Sequence, residues 1–447
     1  MFTNIRLKNY KSLVDVDVNL LEKKNKAKNM IILYGENGSG KTNFAESFST
    51  LYFSLKTLSL TKRIDELIEK KDLLKEFNYN ENIYRFINEY FVDTERIIND
   101  CRTIDSEGNM ILEFGFIRNE KKGIYTLEYD KSEISHEKLD FAIGKKIVNV
   151  FDISGNGIKI NSKLFINTEY EKECKIIIEK YRGKHSLLAI LFSEIENNAK
   201  DYVKKRINRD IFNLIMWISQ MTLKIKKQRT EKGIYCVPNV IYTRPLKGTI
   251  NKKDESELDK LEKILNVFFT SLYSDIKKVY FKKERKKNDI YYHLYAEKLI
   301  FGEKKEINFE FESTGTRNLS EVLPCLLMAV EGNVVVIDEI DTGIHDILIS
   351  ELLSDVIDKI KGQLIITTHN TMVMESDVDV GSLYLIDVDS NSKKQFVTIK
   401  DYERNHPNQN IRGRYLKGMY NGIPYVQSID FENLHDTMVG GENDEED

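Results

Sequence analysis

One stretch near the start of the chain constrains the fold more than any other. An apolar run, Ile31 to Tyr34, enters a loop with three glycines, and Lys41 and Thr42 then open a helix-like segment. This is the complete G-x-x-x-x-G-K-[ST] pattern between a strand and a helix. Glycines let backbone N–H groups surround phosphates, and the helix N-terminus adds positive charge. We expect Lys41 to contact the β- and γ-phosphates of a nucleotide and the Thr42 hydroxyl to ligate Mg²⁺.

The loop and the start of its helix supply one set of expected cofactor-binding residues. These are Gly35, Asn37, Gly38, Ser39, Gly40, Lys41, Thr42 and Asn43.

Composition narrows the class of protein but does not choose a partner. The 447 residues are 41% hydrophobic and 31% charged, which favours a sizeable core over disorder. The net charge of −4 gives no overall electrostatic argument for nucleic acid. Four widely spaced cysteines are typical of reduced thiols, and polar residues interrupt the first apolar stretch, so no signal peptide is expected. The apolar runs are too short to cross a bilayer, and we expect a cytoplasmic protein without a membrane partner.

Changes of hydrophobic period divide the chain into six segments of an α/β fold. We expect a segment with the phosphate loop (1–54), a helical insertion (55–104), a β-rich segment (105–165), a helical lid or arm (166–275), a segment rich in strands (276–400) and a C-terminal extension with an acidic tail (401–447).

A second motif lies far along the chain, in the segment 276–400. The apolar strand Val334 to Ile337 delivers Asp338 and Glu339 at its carboxyl end, where ligands bind in open α/β sheets. We expect Asp338 to hold Mg²⁺, and Glu339 to orient or activate an attacking water. A further strand ends in His369, which becomes a candidate γ-phosphate contact in this order of motifs.

The spacing of these motifs resembles ABC-type ATPase heads of the SMC, RecF and OLD kind, in the AAA family. Most of the chain separates the phosphate loop from the acidic strand, and Glu312 to Thr316 between them is similar to the signature loop of these heads. Ile340 to Asp346 matches their D-loop, and His369 matches their switch histidine. The resemblance adds Lys11, Ser12, Ser313, Gly315 and Thr316 to the expected nucleotide-binding residues.

This resemblance implies a fold, cofactors and partners. It implies a P-loop NTPase head that binds ATP and Mg²⁺ and has a largely helical insertion. Residues 1–54 and 105–165 would form its N-lobe, and residues 276–400 its C-lobe. The head would form a nucleotide-dependent homodimer or higher oligomer that senses or controls a separate effector, a nuclease or toxin. The compact middle, the Tyr181 to Ser186 segment and the Arg412 to Pro424 segment resemble phage-defence (abortive infection) ATPases of the AbiL/RloA type.

Alternatives stay open at this point. One is a DNA-repair ATPase that clamps DNA, which keeps nucleic acid as a candidate partner, and another is a nucleotide-gated scaffold with little turnover. No glutamine lies between Thr42 and Gln220, so the glutamine of the Q-loop is missing from its expected segment.

Three further patterns are expected to be structural. The basic run Lys282 to Lys287 is interpreted as a solvated hairpin tip. Glu331, Asp387 and Asp389 loosely imitate a Toprim nuclease but are interpreted as turn acids. The Arg412 to Pro424 segment is expected to pack on the head.

Overall fold

The computed structural model describes most of the chain, and the account below covers those parts only. They are residues 1–22, 25–71, 92–144, 146–197, 200–226, 233–402, 410–420, 422–423 and 428–439. Residues 72–91 of the expected helical insertion and the acidic tail at 442–447 lie outside the described residues.

The described strands form three sheets. The strands are β1 (Phe2–Tyr10), β2 (Leu13–Asn19), β3 (Met30–Tyr34), β4 (Met110–Arg118), β5 (Lys121–Tyr129), β6 (Ile134–Ile143), β7 (Lys146–Ser154), β8 (Gly157–Ile160), β9 (Thr222–Ile225), β10 (Ile234–Cys236), β11 (Lys247–Asn251), β12 (Ile276–Lys286), β13 (Asp289–Ile300), β14 (Glu303–Asn308), β15 (Val334–Ile337), β16 (Gln363–Thr367), β17 (Leu383–Val388) and β18 (Lys394–Thr398).

The helices in the described ranges are α1 (Lys41–Ser54), α2 (Thr57–Lys71), α3 (Thr94–Cys101), α4 (Thr168–Tyr181), α5 (Leu187–Asn197), α6 (Lys200–Lys204), α7 (Arg209–Ser219), α8 (Glu255–Leu272), α9 (Thr314–Glu331), α10 (Asp346–Ile357), α11 (Ile399–Tyr402), α12 (Ile411–Leu416) and α13 (Phe431–Val439). Helices cover both faces of the central sheet, with α1 on one face and α9 and α10 on the other.

The central sheet joins the two ends of the chain. Its order is β10-β9-β15-β16-β3-β17-β18, and the five inner strands are parallel while each edge strand is antiparallel. The phosphate-loop strand β3 therefore lies between two strands of the C-lobe, and the acidic strand β15 is only one strand further away. This sheet confirms an α/β fold built from both chain ends.

Period-two alternation along the buried strands divides their side chains between two cores. On β3, Ile31 and Leu33 enter one core, while Met30, Ile32 and Tyr34 enter the other. The first core lies against α1 and the antiparallel sheet β2-β1-β4-β5-β6-β7-β8, and the second lies against α8, α9, α10 and the third sheet. The strands carrying the motifs are thus buried on both faces and held rigidly.

A buried glutamine connects the antiparallel sheet to the central sheet. Gln363, at the start of β16, is fully buried. Its Oε1 accepts the Phe2 backbone N–H at 2.7 Å, and its Nε2 donates to the carbonyls of Phe2 and Lys28, each at 2.9 Å. One side chain thereby satisfies backbone groups of the first strand that would otherwise be buried without partners.

The third sheet, a meander as the alternation predicts, contains the basic run Lys282 to Lys287. Lys282 pairs with Glu306, Lys283 with Asp259, and Arg285 with Glu255. Lys287 forms the turn at positive φ. The run is a hairpin end whose charges are largely matched by neighbouring carboxylates, as the sequence interpretation holds.

Residues 166–275 differ from the helical lid or arm that the sequence analysis expects. Helices α4 to α7 do form, but β9 and β10 follow them and extend the central sheet beside β15. Leu223 and Ile225 of β9 are buried in the first core. A three- or four-residue spacing identifies the helices, whereas these short apolar strands carry no periodic signal that separates them from a helix end.

Part of the C-terminal extension packs on the head. Tyr415 and Tyr420 are buried, and the Tyr415 ring lies 6.2 Å from that of Tyr34, immediately before the phosphate loop. Arg412 forms an ion pair with Glu375 at 3.1 Å. These contacts confirm the expectation that the described part of the Arg412 to Pro424 segment packs on the head.

Candidate nucleotide-binding site

The phosphate loop has the backbone geometry that its glycines allow. Gly38 has a φ of 80° and Gly40 a φ of 110°, both in the region that side chains disfavour. A Cβ on Gly40 would lie 2.8 Å from the Leu13 Cδ2 atom, so neither backbone nor space tolerates a larger residue. The loop then places Lys41 at the first position of α1.

Lys41 folds back onto its own loop. Its ammonium donates to the carbonyl of Gly35 at 2.7 Å and to that of Glu36 at 2.9 Å. Burial lowers the pKa of Lys41 from its usual value, against the opposing influence of the Asp338 and Glu339 carboxylates. The Lys41 ammonium is therefore held against its own loop, near the acidic strand β15.

One carboxylate oxygen of Asp338 is buried without a hydrogen-bond partner among the described residues. Its Oδ1 accepts the Thr367 hydroxyl at 2.6 Å and the Thr42 hydroxyl at 3.3 Å. Its Oδ2 is buried and has no hydrogen-bond partner among the described residues. Burial raises the pKa of this carboxyl. A hard cation such as Mg²⁺ prefers oxygen ligands, and the hydroxyl of Thr42 with the carboxylate of Asp338 fits it.

Glu339 lies next to Asp338 in an unusual backbone conformation, with a φ of 49°. Its Oε2 accepts the ammonium of Lys226 at 2.9 Å and the hydroxyl of Thr342 at 3.3 Å. Burial alone would raise the pKa of Glu339, but Lys226 outweighs it and the pKa falls below the ordinary value. Glu339 is consequently a carboxylate at neutral pH.

His369 follows β16 and faces the same site. Its backbone N–H donates to the Asp341 carboxylate at 3.2 Å. The surrounding protein, followed by the positive charge of Lys41, lowers the pKa of His369 below its ordinary value. Its imidazole is therefore uncharged at neutral pH.

The turn at Lys11 and Ser12 forms one wall of the site. Lys11 has a φ of 49° and forms an ion pair with Glu46 of α1. The Asn43 amide donates to the Ser12 hydroxyl at 2.6 Å. The first hairpin is therefore fixed to the phosphate-loop helix.

These groups surround one cavity of about 640 Å³. Of the residues expected from sequence, those lining it are Lys11, Ser12, Asn37, Gly38, Gly40, Lys41, Thr42, Asn43, Glu339 and His369. Gly35 and Asp338 join them through the hydrogen bonds of Lys41 and Thr42, and Ser39 lies within the loop itself. The two ends of the chain thus meet at one site.

The signature loop lies elsewhere. Ser313, Gly315 and Thr316 do not line this cavity. The Ser313 hydroxyl accepts the Thr316 N–H and caps α9. Gly315 approaches the D-loop so closely that a Cβ there would lie 2.1 Å from the Gly343 carbonyl oxygen. The signature loop and the D-loop therefore form one surface, separate from the phosphate loop of the same chain.

Three contributors were missed by sequence reasoning. Thr367 contacts Asp338 from the end of the adjacent parallel strand, and that adjacency was a usable signal. Lys226 follows β9, the strand beside β15, and contacts Glu339. Sequence reasoning considered only a glutamine, in an earlier segment of the chain, and so missed this lysine. Lys394 donates to Ser12 and to the Gly38 carbonyl, and nothing in its local sequence distinguishes it.

Of the three acids interpreted as turn acids, only Asp389 lies in a turn, whereas Glu331 is the last residue of α9 and Asp387 lies within a strand. Asp389 accepts backbone N–H groups of Asn391 and Lys393 and so closes the turn between β17 and β18. Asp387 lies in β17. Across the described ranges, no group of three or more histidine, cysteine or acidic residues has metal-binding geometry. Within the same ranges, no helix combines the length and apolar character needed to span a membrane.

Comparison with known proteins supports part of this assignment. Residues 238–375 match a family model described as "AAA domain, putative AbiEii toxin, Type IV TA system". The matched range contains the signature loop, the acidic strand and His369, and the phosphate loop lies outside it. No curated protein matches the chain significantly.

Solved structures of SMC heads are similar over most of their length. The SMC head domain from Thermotoga maritima is 12% identical, with a TM-score of 0.36 over 89% of this chain and 98% of that chain. An SMC head bound to the C-terminal winged-helix domain of ScpA is 12% identical, with a TM-score of 0.43 over 90% and 99%. A third, with an extended coiled coil and a ScpA domain derived from Pyrococcus furiosus, is 11% identical, with a TM-score of 0.39 over 90% and 97%. With TM-scores below 0.5, these likenesses carry no argument, and the fold rests on the sheet topology.

Proposed function

We propose that this chain binds ATP with Mg²⁺ and hydrolyses the ATP, as an ABC-type ATPase. The observation that carries the proposal is the convergence of Lys41, Thr42 and Asp338 at one cavity that Glu339 and His369 also line. The buried, unpartnered Oδ2 of Asp338 supports a bound cation. The matched AAA family model supports the same class of protein.

Each group has a chemical role in this proposal. Lys41 and the N–H groups of the loop bind the phosphates, and Thr42 and Asp338 hold Mg²⁺, which neutralises phosphate charge when bound. Glu339, ionised at neutral pH, accepts a proton from the attacking water. His369, uncharged at neutral pH, offers a hydrogen bond near the γ-phosphate.

The phosphate-loop lysine provides the first test. We expect Lys41→Ala to weaken Mg-ATP binding about 100-fold or more, because a charged donor to the phosphates is lost from a buried position. Isothermal titration of the folded variant measures this. The matched control is Lys361→Ala, which removes an exposed lysine far from the cavity. Equal affinities of the two variants for Mg-ATP would refute the nucleotide site.

We further propose that two copies enclose the nucleotide and that the dimer controls a separate effector in antiphage defence. The separation of the signature loop from its own phosphate loop supports the first part. The family description, which names a putative toxin, supports the second. Co-purification from cells that express the native protein tests for the effector. In cells that express the Lys41→Ala protein, we expect phage resistance to be lost while the effector still co-purifies with the protein.

A further inference from the structure

A second lysine lies at the phosphate loop without a carboxylate partner. Lys394, at the start of β18, donates to the Ser12 hydroxyl at 2.6 Å and to the Gly38 carbonyl at 3.1 Å. Among the described residues, no carboxylate forms an ion pair with it. Its ammonium is partly buried, and burial lowers its pKa from the usual value. A partly buried cation beside neutral acceptors alone leaves its charge uncompensated.

The position of Lys394 is fixed by the strand that carries it. Its partner in the sheet is Val388 of β17, and β17 lies directly beside β3. Phe396 lies two residues further along and therefore points to the same face of β18. The Phe396 ring packs against Phe44 of α1, with ring centroids 5.0 Å apart. This face of the strand is thus held against the phosphate-loop helix.

The ammonium has one donor left. It carries three N–H groups, and two are used by Ser12 and Gly38. A Cβ on Gly40 would lie 3.5 Å from the Lys394 Nζ, so the ammonium lies beside Gly40 and, through its hydrogen bonds, beside Ser12 and Gly38, all three of which line the cavity although Lys394 itself does not. Its uncompensated charge, its remaining donor and its place beside the loop all suit an anion.

We propose that Lys394 is a second phosphate-binding cation of this site, donating its remaining N–H to a phosphate oxygen of the bound nucleotide. The inference rests on the proposed function, because it assumes that the phosphate loop binds a nucleotide. It adds to that function a link between nucleotide and the β17–β18 hairpin: Ser12 and Gly38 position the ammonium, and the phosphate holds the hairpin against the loop.

The test is Mg-ATP affinity, measured by isothermal titration on the full chain. We expect Lys394→Ala to bind Mg-ATP about 10- to 100-fold more weakly than wild type, the effect of losing one charged hydrogen bond. Lys394→Arg should retain most of the affinity because it keeps the charge. The matched control is Lys393→Ala, which removes the same charge from the preceding residue, whose side chain is exposed. Rising salt should reduce the difference between wild type and Lys394→Ala.

Lys394→Gln separates phosphate binding from support of the loop. The amide can still donate to Ser12 or Gly38 but carries no charge, so we expect weak binding with an unchanged thermal midpoint of the nucleotide-free protein. Wild-type affinity in Lys394→Gln would overturn the inference, as would equal losses in Lys394→Ala and Lys393→Ala. Failure of wild type itself to bind Mg-ATP would instead refute the proposed function.

Discussion

Glu339 is the residue whose surroundings bear most directly on turnover. Its carboxylate is ionised, but it is paired with Lys226 and Thr342 rather than directed at an unoccupied position. The pair is largely exposed, so it stabilises the fold little and can exchange for water. The carboxylate that we propose as the base is therefore held by a lysine that follows the neighbouring strand β9.

We predict that Glu339→Gln binds Mg-ATP with near wild-type affinity but hydrolyses it about 100- to 10,000-fold more slowly, the usual effect of losing a general base. Phosphate release at saturating Mg-ATP measures the rate, and titration measures the affinity. Glu331→Gln is the matched control because Glu331 is exposed at the end of α9. Turnover near that of wild type would remove Glu339 from the role of base.

At this scale the sequence predicts the residues that motifs define. The phosphate loop and the acidic pair follow from their own local patterns, and the structure brings both to one cavity. Lys394 and Lys226 could not be found this way, since their positions depend on which strands become neighbours. Their side chains are ordinary lysines until the sheet is assembled.

At the scale of single elements, one helix start depends on a buried acid. Glu137 of β6 is almost fully buried, and its Oε2 accepts the Leu187 N–H at 2.6 Å, the first residue of α5. Its Oε1 accepts the Tyr125 hydroxyl at 2.8 Å. Burial nevertheless dominates and raises the pKa of Glu137 from 4.5 to about 7.

This acid should give the fold a pH dependence. The folded protein keeps the Glu137 proton to a higher pH than the unfolded chain does, so the free energy of unfolding falls as pH rises from about 4.5 to about 7. The shift corresponds to about 3 kcal/mol. Glu137→Gln does not titrate, so its free energy of unfolding should not fall in this way. We predict that the free energy of unfolding of the variant, relative to that of wild type, rises between pH 5 and pH 8.

Urea unfolding at several pH values measures this difference. Glu120→Gln, at an exposed turn position, is the control and should track wild type at every pH. A Glu137→Gln stability curve parallel to that of wild type would show that Glu137 does not titrate in this range.

The buried Gln363 of β16 bonds the backbone of Phe2 in β1 and of Lys28 before β3, so its replacement should destabilise the contact between the two sheets. We predict that Gln363→Leu lowers the free energy of unfolding by about 3 kcal/mol or more, because backbone groups of Phe2 and Lys28 are left buried without partners. Thermal and urea unfolding measure the loss. Gln395→Leu replaces an exposed glutamine on β18 and should have little effect. Similar losses in both variants would contradict the role assigned to Gln363.

At the scale of the whole molecule, the segment that resembles a signature loop lies outside the cavity that contains the phosphate loop. Thr314 is exposed at the start of α9, and the loop packs on the D-loop through Gly315. A single chain therefore presents a phosphate loop at one place and a signature loop at another. Two copies could complete each other's sites.

We predict that Lys41→Ala and Thr314→Asp proteins, each inactive alone, recover part of the ATPase activity when mixed. Each heterodimer would contain one site with an intact lysine and an intact signature loop. Thr314→Asp suits this test because an acid in the first turn favours the helix while repelling phosphate, whereas a side chain on Gly315 would collide with Gly343.

Phosphate release against mixing ratio measures the recovery. The control mixture combines Lys41→Ala with the Lys41→Ala/Thr314→Asp double variant, in which every site lacks its lysine. Absence of recovery at all ratios, with subunit exchange demonstrated by a labelled chain, would mean that each site is complete within one chain.

The overall architecture was partly predictable. The alternating segments identify the first hairpin, the β4–β5 hairpin and the meander β12–β14 with their turns. The place of β9 in the central sheet was not predictable, because four residues carry too little pattern to reveal a neighbour from the C-lobe. Pairing between distant strands is decided by the assembled cores rather than by local sequence.

The interleaving of β3 between β16 and β17 has a consequence for how the protein is made. At a synthesis rate of about 5 to 20 residues per second, the two neighbours of β3 leave the ribosome roughly 20 to 70 s after it. Until then, the apolar stretch Met30 to Tyr34 has no partner on either edge, and it has the composition of an aggregation-prone segment. The strand that leads into the phosphate loop therefore remains unpaired through most of translation.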